Sequence, residues 1–247
     1  MKTVIRFTLS LCTAAIILAG CKKDNNMSAA ALADSQPETA PAVQTAVKVT
    51  VGSKIGGFYK ALPARYDSTT KKYPLLVFLH GVGELGNGTT DLSRLLGNAV
   101  PKLLNQKTFP AQFTVNGANY SFIVINPQFN EWPLAADVNA MIDYAVANYR
   151  VDESRIYVAG LSMGGGNTWD YAVAYPDRVA AVVPVCGASW HSVEQMSSVA
   201  KSNLPVWAFH NNDDDIVAVS TTIGNVDNIN SYKPAILARK TIWASGG

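Results

Sequence analysis

The sequence predicts an α/β fold in which a mostly parallel sheet, with antiparallel strands at its N-terminal end, carries helices on both faces. Short, continuous apolar runs recur along the chain, which is typical of parallel strands that are buried on both sides. Helix-like segments separate these runs, and this alternation favours a parallel sheet. The 247 residues are 48% hydrophobic and 15% charged, which fits one domain with a sizeable core.

Residues 1–20 are predicted to be a lipoprotein signal peptide. Lys2 and Arg6 form a basic start, and the apolar run that follows, "FTLSLCTAAIILAG", is short for a mature membrane span. It leads to "LAGC", which resembles a bacterial lipobox with cleavage before Cys21 and lipid on its sulfur. We therefore expect an exported bacterial lipoprotein that is anchored to a membrane, on an outer-membrane, periplasmic or cell-surface face. An ordinary membrane anchor and a plain signal peptide are the alternatives.

Residues 21–45 are predicted to be a flexible tether, and residues 46–247 to be the catalytic domain. The tether segment is rich in Ala, Ser, Pro and polar residues and has no sustained apolar period. Loss of the signal peptide removes two basic residues and no acidic one, so the formal net charge falls from +2 to 0. This charge gives no footprint for nucleic acid. Cys186 is then the one cysteine besides Cys21, so no disulfide framework is expected.

The strands are expected in a definite order along the domain. The segment "AVKVTVGSKIGGFYKALPARY" alternates apolar and polar residues around Gly-containing turns and predicts an antiparallel pair. The apolar runs that predict the remaining strands are 73–80, 121–126, 155–160, 180–187, 204–210 and 240–244. Helices are expected over "PLAADVNAMIDYAVANYR" and after Ser162. Because ligands bind at the carboxyl ends of such strands, the residues that follow each strand are the candidates for a site.

Ser162 is the candidate nucleophile. It lies in Gly160-Leu161-Ser162-Met163-Gly164, a G-x-S-x-G that directly follows a predicted strand and precedes a predicted helix. Small residues are needed there because a sharp strand-to-helix turn crowds the backbone. The helix N-terminus also favours developing negative charge. The alternative, a Gly-rich turn with an N-capping serine, does not explain why other strand ends carry matching parts.

The loop "FLHGVGELGNG" is predicted to supply half of an oxyanion hole. Its backbone N–H at Val82, with Gly81 and Gly83 as alternatives, would act together with the N–H of Met163. His80 is interpreted as structural, because its place in the chain order does not suit the base of a Ser…Asp…His triad. The same loop matches the dinucleotide fingerprint G-x-G-x-x-G, but no acidic residue follows at the distance that ribose binding requires.

An acidic turn, "FHNNDDDIVAVS", follows the strand where a Ser…Asp…His order places its acid. Asp213, Asp214 and Asp215 compete for that role. A calcium loop is excluded, because Ile216 stands where such a loop needs Gly and Thr222 where it needs Glu. A solvated acidic turn is the remaining alternative for those aspartates that are not the acid.

Together, "FLHGVGELGN", "FIVINPQ…W", "VDESRIYVAGLSMGGGNTWDYAVAYPDRVAAVVPVCG" and "LPVWAFHNNDDDIV" resemble the esterase branch of the α/β-hydrolases, which includes feruloyl and acetylxylan esterases, polyhydroxybutyrate depolymerase-like proteins and predicted peptidases. The resemblance extends from about residue 46 to the end. Aligned on His210 and Val217, it implies Asp214 as the acid. Asn211 and Ala218 depart from the family's Gly and Pro, so Asp215 stays open.

The resemblance also implies that a catalytic histidine, followed by a C-terminal helix, comes directly after "KTIWASGG", beyond residue 247. The chain is then expected to be a C-terminally truncated piece that is nearly inactive by itself. His191 is the alternative base within the chain, since geometry and roles rather than sequence position define a triad.

The function expected from these residues is serine ester hydrolysis that needs no metal and no cofactor. A single helix fits between the strand at 180–187 and the next strand, so no large lid is expected over the site. Such an open site suits a small soluble or polysaccharide ester substrate, with Trp190 and Trp132 as possible walls against a sugar or an aromatic acyl group. A serine peptidase of the same fold and a non-catalytic glycan-binding lipoprotein are the alternatives.

Overall fold

The computed structural model describes residues 28–245, so the predicted signal peptide, Cys21 and the last two glycines lie outside the described residues. An eight-stranded sheet in the order β1-β2-β6-β3-β7-β8-β9-β10 forms its centre, beside a separate hairpin of β4 and β5. The ten strands are β1 Val43–Val47, β2 Ile55–Leu62, β3 Tyr73–Leu79, β4 Phe113–Val115, β5 Ala118–Tyr120, β6 Ile123–Phe129, β7 Val151–Leu161, β8 Ala181–Val185, β9 Trp207–Asn211 and β10 Arg239–Trp243.

The predicted fold class is confirmed. Six neighbouring strands of the sheet, in the order β6-β3-β7-β8-β9-β10, pair in parallel. Strands β1 and β2 form the expected antiparallel pair, and β2 is also antiparallel to β6. All seven residues of β6 are buried, as are six of the seven in β3, because helices or loops cover both of their faces. The continuous apolar runs in the sequence are therefore explained by burial.

Six α-helices are described. They are α1 Ala29–Ser35, α2 Ala99–Asn105, α3 Ala135–Asn148, α4 Met163–Ala174, α5 Val193–Lys201 and α6 Ser220–Ser231. The last four pack in sequence order, α3 on α4, α4 on α5 and α5 on α6, and α4 lies against β7 and β8. The main core lies between them and the sheet, with Trp169 fully buried in it. On the opposite face, α2 covers a smaller cluster around Leu104 and Val124. None of the described helices is long and apolar enough to cross a bilayer.

The other part of this opposite face is lined by half-exposed aromatic rings. Trp207 stacks on Phe209 with ring centroids 5.1 Å apart, and Phe209 stacks on Trp243 at 5.5 Å. Trp207 and Trp243 are 48% and 50% exposed. These rings lie on β9 and on the edge strand β10, so the aromatic row marks the last part of the sheet.

Two features differ from the sequence analysis. The hairpin of β4 and β5 was not predicted, although it turns at Asn116-Gly117, a pair that readily adopts the positive φ found at both residues. The expected flexible tether over 21–45 is wrong for residues 28–45, which contain α1 and part of β1. This segment is held on the domain because Asp34 accepts hydrogen bonds from Thr70 and Glu38 accepts one from the backbone of Arg65.

Candidate active site

Ser162 lies at the sharp turn between β7 and α4, with backbone angles φ +57° and ψ −114°. A positive φ is strained for a residue with a side chain, and such strain concentrates at functional sites. The backbone of Ser162 is fixed on both sides, because its N–H donates to the carbonyl of Val185 and its carbonyl accepts from the N–H of Gly166. The serine is thereby presented at the carboxyl end of β7 and at the N-terminus of a helix.

The glycines on either side of Ser162 are required by close backbone contacts. A Cβ on Gly160 would lie 2.2 Å from the carbonyl oxygen of Gly164, and a Cβ on Gly164 would lie 2.1 Å from the carbonyl oxygen of Leu79. Neither distance is possible for a real side chain. The G-x-S-x-G pattern therefore allows β7, the turn and β3 to approach closely enough to form the turn that presents Ser162.

The loop after β3 lies against the nucleophile. It begins with a 3₁₀ turn over Val82–Glu84, capped by Gly81. The position of a Cβ on Gly81 would be 3.7 Å from the Cβ of Ser162. The backbone at Gly81 and Val82 is thus next to Ser162, and Met163 is the first residue of α4. The two backbone donors that the sequence suggests for an oxyanion hole come from segments that meet at Ser162.

Asp214 is the aspartate of the acidic turn that is bound by the turn's own backbone. Its Oδ1 accepts hydrogen bonds from the N–H groups of Ile216 at 3.0 Å and Val217 at 2.8 Å. Burial acts to raise the pKa of Asp214, but these two N–H groups and the nearby His210 lower it by more, so the pKa lies below its ordinary value. Asp214 is therefore held in its ionised form, as the acid of a triad must be.

Cys186 connects the nucleophile turn and the acidic turn. Burial raises the pKa of the Cys186 thiol, the backbone N–H of Ser162 acts in the opposite direction, and the Asp214 carboxylate raises it further. Both Ser162 and Asp214 are thus electrostatically close to this side chain. A thiol with a raised pKa stays protonated near neutral pH, so Cys186 is not a competing nucleophile.

Two of the three histidines have structural roles that are visible in their hydrogen bonds. In His80, Nε2 accepts from the backbone N–H of Phe129 at 3.0 Å, so Nδ1 carries the proton and donates to the carbonyl of Gly81. In His210, the Nε2–H donates to the carbonyl of Val217 and Nδ1 accepts from the hydroxyl of Thr222, both at 2.8 Å. The Nε2 of His210 also lies 3.4 Å from Oδ2 of Asp214, so this histidine contacts the acidic turn at two points. Neither ring nitrogen of either residue is free to accept a proton from Ser162.

His191 is held away from the nucleophile. Its Nε2 lies 3.1 Å from Oδ1 of Asp170, which also accepts a hydrogen bond from Ser189. Asp170 is on α4 eight residues after Ser162, which corresponds to roughly 12 Å along the helix axis. The pairing with Asp170 therefore places His191 about two helical turns from the position that a base for Ser162 must occupy.

The carboxyl end of β10 lies beside the acidic turn. Trp243 pairs with Asn211, the last residue of β9, and the carbonyl of Trp243 accepts a hydrogen bond from the N–H of Asn212 at 2.8 Å. Asp214 is two residues further along that turn. The chain that leaves β10 is thus adjacent to the segment that carries the candidate acid.

Trp190 is exposed on a loop whose backbone is firmly held. The N–H of His191 donates to Asn225, Asn225 donates to the carbonyl of Ser189, and Asn228 donates to the carbonyl of His191. The indole is 60% exposed and rests on Gly224, where an added Cβ would be 3.1 Å from its Nε1. This loop follows β8 and starts beside the nucleophile, because the N–H of Ala188 donates to the carbonyl of Ser162.

Trp132 is the second candidate wall. It is 46% exposed and lies in the loop after β6, where its carbonyl accepts a hydrogen bond from Lys54. In the sheet order, β6 is separated from β7 by β3, so Trp132 lies on the opposite side of Ser162 from Trp190.

One large cleft of the described residues lies away from the candidate site. It has a volume of about 860 Å³ and is lined by the first residues of β8, β9 and β10, with Tyr157 of β7 beside them. These are the amino ends of the strands, opposite the end that carries Ser162. Residues 28–245 contain no cluster of His, Cys, Asp and Glu that could hold a metal ion.

The chain is similar to several known proteins. The chain is 30% identical over 128 residues to poly(3-hydroxyalkanoate) depolymerase C of Paucimonas lemoignei, which covers 51% of this chain and 30% of that one. It is 29% identical over 140 residues to feruloyl esterase B of Neurospora crassa, covering 50% and 42% of the two chains. The chain thus spans less than half of these relatives. A solved ferulic acid esterase has the same fold, with a TM-score of 0.59, 17% identity and coverage of 83% and 90%.

The model of the phospholipase/carboxylesterase family matches residues 66–231. This segment contains β3, the whole nucleophile turn, the acidic turn and α6. It includes every candidate catalytic, oxyanion-hole and wall residue described above. The chain therefore belongs to the phospholipase/carboxylesterase family of α/β-hydrolases.

Proposed function

We propose that this protein is a serine hydrolase that cleaves carboxylic esters, with Ser162 as the nucleophile. The observation that carries this proposal is the strained backbone of Ser162, with φ +57°, at the N-terminus of α4 and against the loop after β3. Strain of this kind persists only when the surrounding structure enforces it. Here the neighbouring glycines and two backbone hydrogen bonds enforce it, and the result is a half-buried serine held at the turn where backbone donors meet.

In the proposed reaction, Ser162 Oγ attacks the carbonyl carbon of the ester and a general base takes its proton. The backbone N–H groups of Met163 and Val82 hold the oxyanion of the tetrahedral intermediate, and each such donor typically lowers the barrier by about 3–4 kcal/mol. The base then gives the proton to the leaving alcohol, and water releases the acyl group from Ser162 in a second round. Asp214 orients the base and stabilises its cation.

The base is proposed to be a histidine that follows β10, beyond residue 247. The adjacency of Trp243 to the acidic turn supports this placement, since the next residues along the chain would come near Asp214. The hydrogen bonds of His80 and His210 and the pairing of His191 with Asp170 also support it, because they occupy both ring nitrogens of His80 and His210 and the Nε2 of His191.

The proposed substrates are small soluble esters or esters linked to carbohydrate. Trp190 and Trp132, on opposite sides of Ser162, are suited to contact a sugar ring or an aromatic acyl group. Relatives named as a depolymerase of poly(3-hydroxyalkanoate) and as a feruloyl esterase support an ester of this kind.

The test uses the protein extended beyond residue 247 by its native sequence. A fluorophosphonate probe is expected to label Ser162 and no other serine, and a panel of aryl, acetyl and feruloyl esters is expected to include a substrate. Ser162→Ala should abolish both labelling and turnover while the circular dichroism spectrum stays unchanged. Turnover by Ser162→Ala at the wild-type rate would refute the proposal.

We also propose that the mature protein is a bacterial lipoprotein that is anchored to a membrane through lipid on Cys21. The basic start, the apolar run and the sequence "LAGC" support this. Mass spectrometry of the membrane fraction should find a lipidated N-terminal Cys21, and Cys21→Ala should abolish that species. A wild-type protein that is processed at another residue and recovered without lipid would contradict the anchor.

A further inference from the structure

The N-terminal segment of the described chain is held at the amino ends of two central strands. Asp34 accepts a hydrogen bond from the backbone N–H of Thr70 at 2.8 Å, just before β3 begins. Glu38 accepts one from the hydroxyl of Ser121 at 2.8 Å, just before β6 begins. Because β3, β6 and β7 run parallel and Ser162 follows the carboxyl end of β7, the chain enters the domain at the end of the sheet opposite the nucleophile.

The nucleophile is far from this entry point. The last residue of β3, Leu79, pairs with Gly160, so it lies almost level with Ser162. A strand rises about 3.3 Å per residue, and β3 has seven residues, so roughly 20 Å separates its amino end from the level of Ser162.

The predicted point of lipid attachment is close to the entry point along the chain. Seven peptide units join Cys21 to Ser28, and they reach about 25 Å at most when fully extended. A lipid on Cys21 would therefore keep the amino end of the sheet near the bilayer. For Ser162 to face the bilayer, the domain would have to turn over on a chain that is stretched close to that limit.

The exposed charged side chains at the amino end of the sheet are mostly basic. Among the exposed acidic residues of this end in the described chain, Asp143 and Glu153 pair with Arg178, which leaves Asp67 and Asp177. The basic residues lie before β3, between α2 and β4, in the first part of β7, at the end of α5, after α6 and at the start of β10. They are Lys72, Lys107, Arg155, Lys201, Lys233 and Arg239.

The carboxyl end of the sheet, which carries Ser162, has the opposite sign. The exposed basic residues of this end in the described chain are Arg94, which pairs with Asp91, and Lys48 beyond the edge strand β1. Exposed acidic side chains follow β6, β8 and β9 there. They are Glu131, Glu194, Asp213 and Asp215.

We propose that the amino end of the sheet binds the anionic phospholipid headgroups of the membrane that holds the lipid anchor, so that the active site faces away from that membrane. Basic side chains are attracted to an anionic membrane surface and acidic ones are repelled, over a range of roughly 8 Å at physiological ionic strength. The point of chain entry and the distribution of charge thus favour the same orientation. The inference rests on the proposed lipid on Cys21, and it adds the orientation in which the domain meets its substrate.

The test uses the lipidated protein, extended beyond residue 247, in vesicles of phosphatidylglycerol and phosphatidylcholine that contain a lipid with a spin-labelled headgroup. A fluorophore is attached to Ser68→Cys at the amino end or to Ala218→Cys at the carboxyl end, since both positions are exposed. Wild type treated in the same way reports any labelling of the half-buried Cys186. Because the two ends are roughly 20 Å apart, the spin label should quench position 68 several times more strongly than position 218. Equal quenching, or stronger quenching at 218, would overturn the inference.

A second measurement tests the role of the charges. Lys233→Glu reverses an exposed charge at the amino end and should reduce the difference in quenching, as should vesicles of phosphatidylcholine alone. Lys48→Glu is the matched control, because it makes the same change in net charge away from the amino end and should preserve the difference. If the two variants behave alike, the charges do not orient the domain and the inference is overturned. A membrane fraction without lipidated Cys21 would instead refute the proposed anchor, and it would leave the proposed esterase activity untouched.

Discussion

The backbone N–H of Val217 donates to Oδ1 of Asp214 at 2.8 Å. The backbone of the acidic turn therefore binds the side chain of Asp214, the middle one of its three aspartates. The second oxygen, Oδ2, lies on the side of His210 and does not share this pair of backbone bonds. One carboxylate is thereby fixed in orientation by the turn that carries it. Its neighbours Asp213 and Asp215 are not held by the same pair of N–H groups.

Asp214→Asn is expected to cost far more activity than Asp213→Asn or Asp215→Asn. The amide oxygen of asparagine can still accept from Val217, so the turn should keep its shape while the charge that stabilises the base is lost. In a serine protease, the equivalent change lowers turnover by about 10⁴. Steady-state kinetics on an aryl ester, with the protein extended beyond residue 247, would measure this. Comparable mild losses at all three positions would count against Asp214 as the acid.

Acid should destabilise the protein through His80. Burial lowers the pKa of His80 below its ordinary value of 6.5, against a smaller opposite effect of its bond to Gly81. Because the folded-state pKa is depressed, the unfolded chain binds the proton first, and stability is lost as pH falls from about 6.5 toward the folded-state pKa. Protonation would also remove the acceptor for the N–H of Phe129.

Two measurements would check this. Urea unfolding at several pH values between 7.5 and 5 should show a decreasing free energy of unfolding, and the NMR signal of the His80 ring, assigned with a His80→Gln variant, should titrate below pH 6.5. A ring that titrates at or above 6.5 would show that burial does not control this histidine.

Ser162→Gly should be more stable than wild type, although it removes the nucleophile. A non-glycine residue at φ +57° and ψ −114° is strained by about 1–3 kcal/mol, and glycine relieves this strain. The greater flexibility of glycine in the unfolded chain offsets part of the gain, so about 1 kcal/mol is expected. Ser162→Ala is the matched control, since it keeps a Cβ and hence the strain. Thermal unfolding that ranks Ser162→Ala at or above Ser162→Gly would argue against stored strain.

Trp190→Ala should raise KM for feruloyl or sugar-linked esters by about tenfold and leave ethyl acetate nearly unchanged, since aromatic contacts of this kind contribute roughly 1 kcal/mol beyond area burial. The loop should keep its conformation, because its backbone is held by Asn225 and Asn228. Trp207→Ala is the control, because that indole is 48% exposed at the amino end of β9. An equal change in KM from both variants would remove Trp190 from the substrate site.

Much of this architecture could be predicted from the sequence. The parallel strands were visible because burial on both faces demands continuous apolar runs, and the turn at Ser162 because two backbone clashes demand glycine. The hairpin at Asn116-Gly117 also has a recognisable signal in the sequence, an Asn-Gly pair. The docking of residues 28–45 could not be predicted, because it depends on hydrogen bonds that Asp34 and Glu38 accept from distant backbone N–H groups rather than on any local pattern.

The pairing of His191 with Asp170 was equally hidden, since the two residues are distant in sequence and neither belongs to a periodic pattern.

The way the loop of Trp190 is held also bears on how such an enzyme could diversify. Its conformation depends on Asn225 and Asn228, whose amides bind backbone atoms, and on the contact of Asp170 with Ser189 and His191. The indole contributes none of these hydrogen bonds. Position 190 is therefore free to accept other side chains without loss of the scaffold, and a saturation library at this single codon would sample new substrate ranges while its members remained foldable.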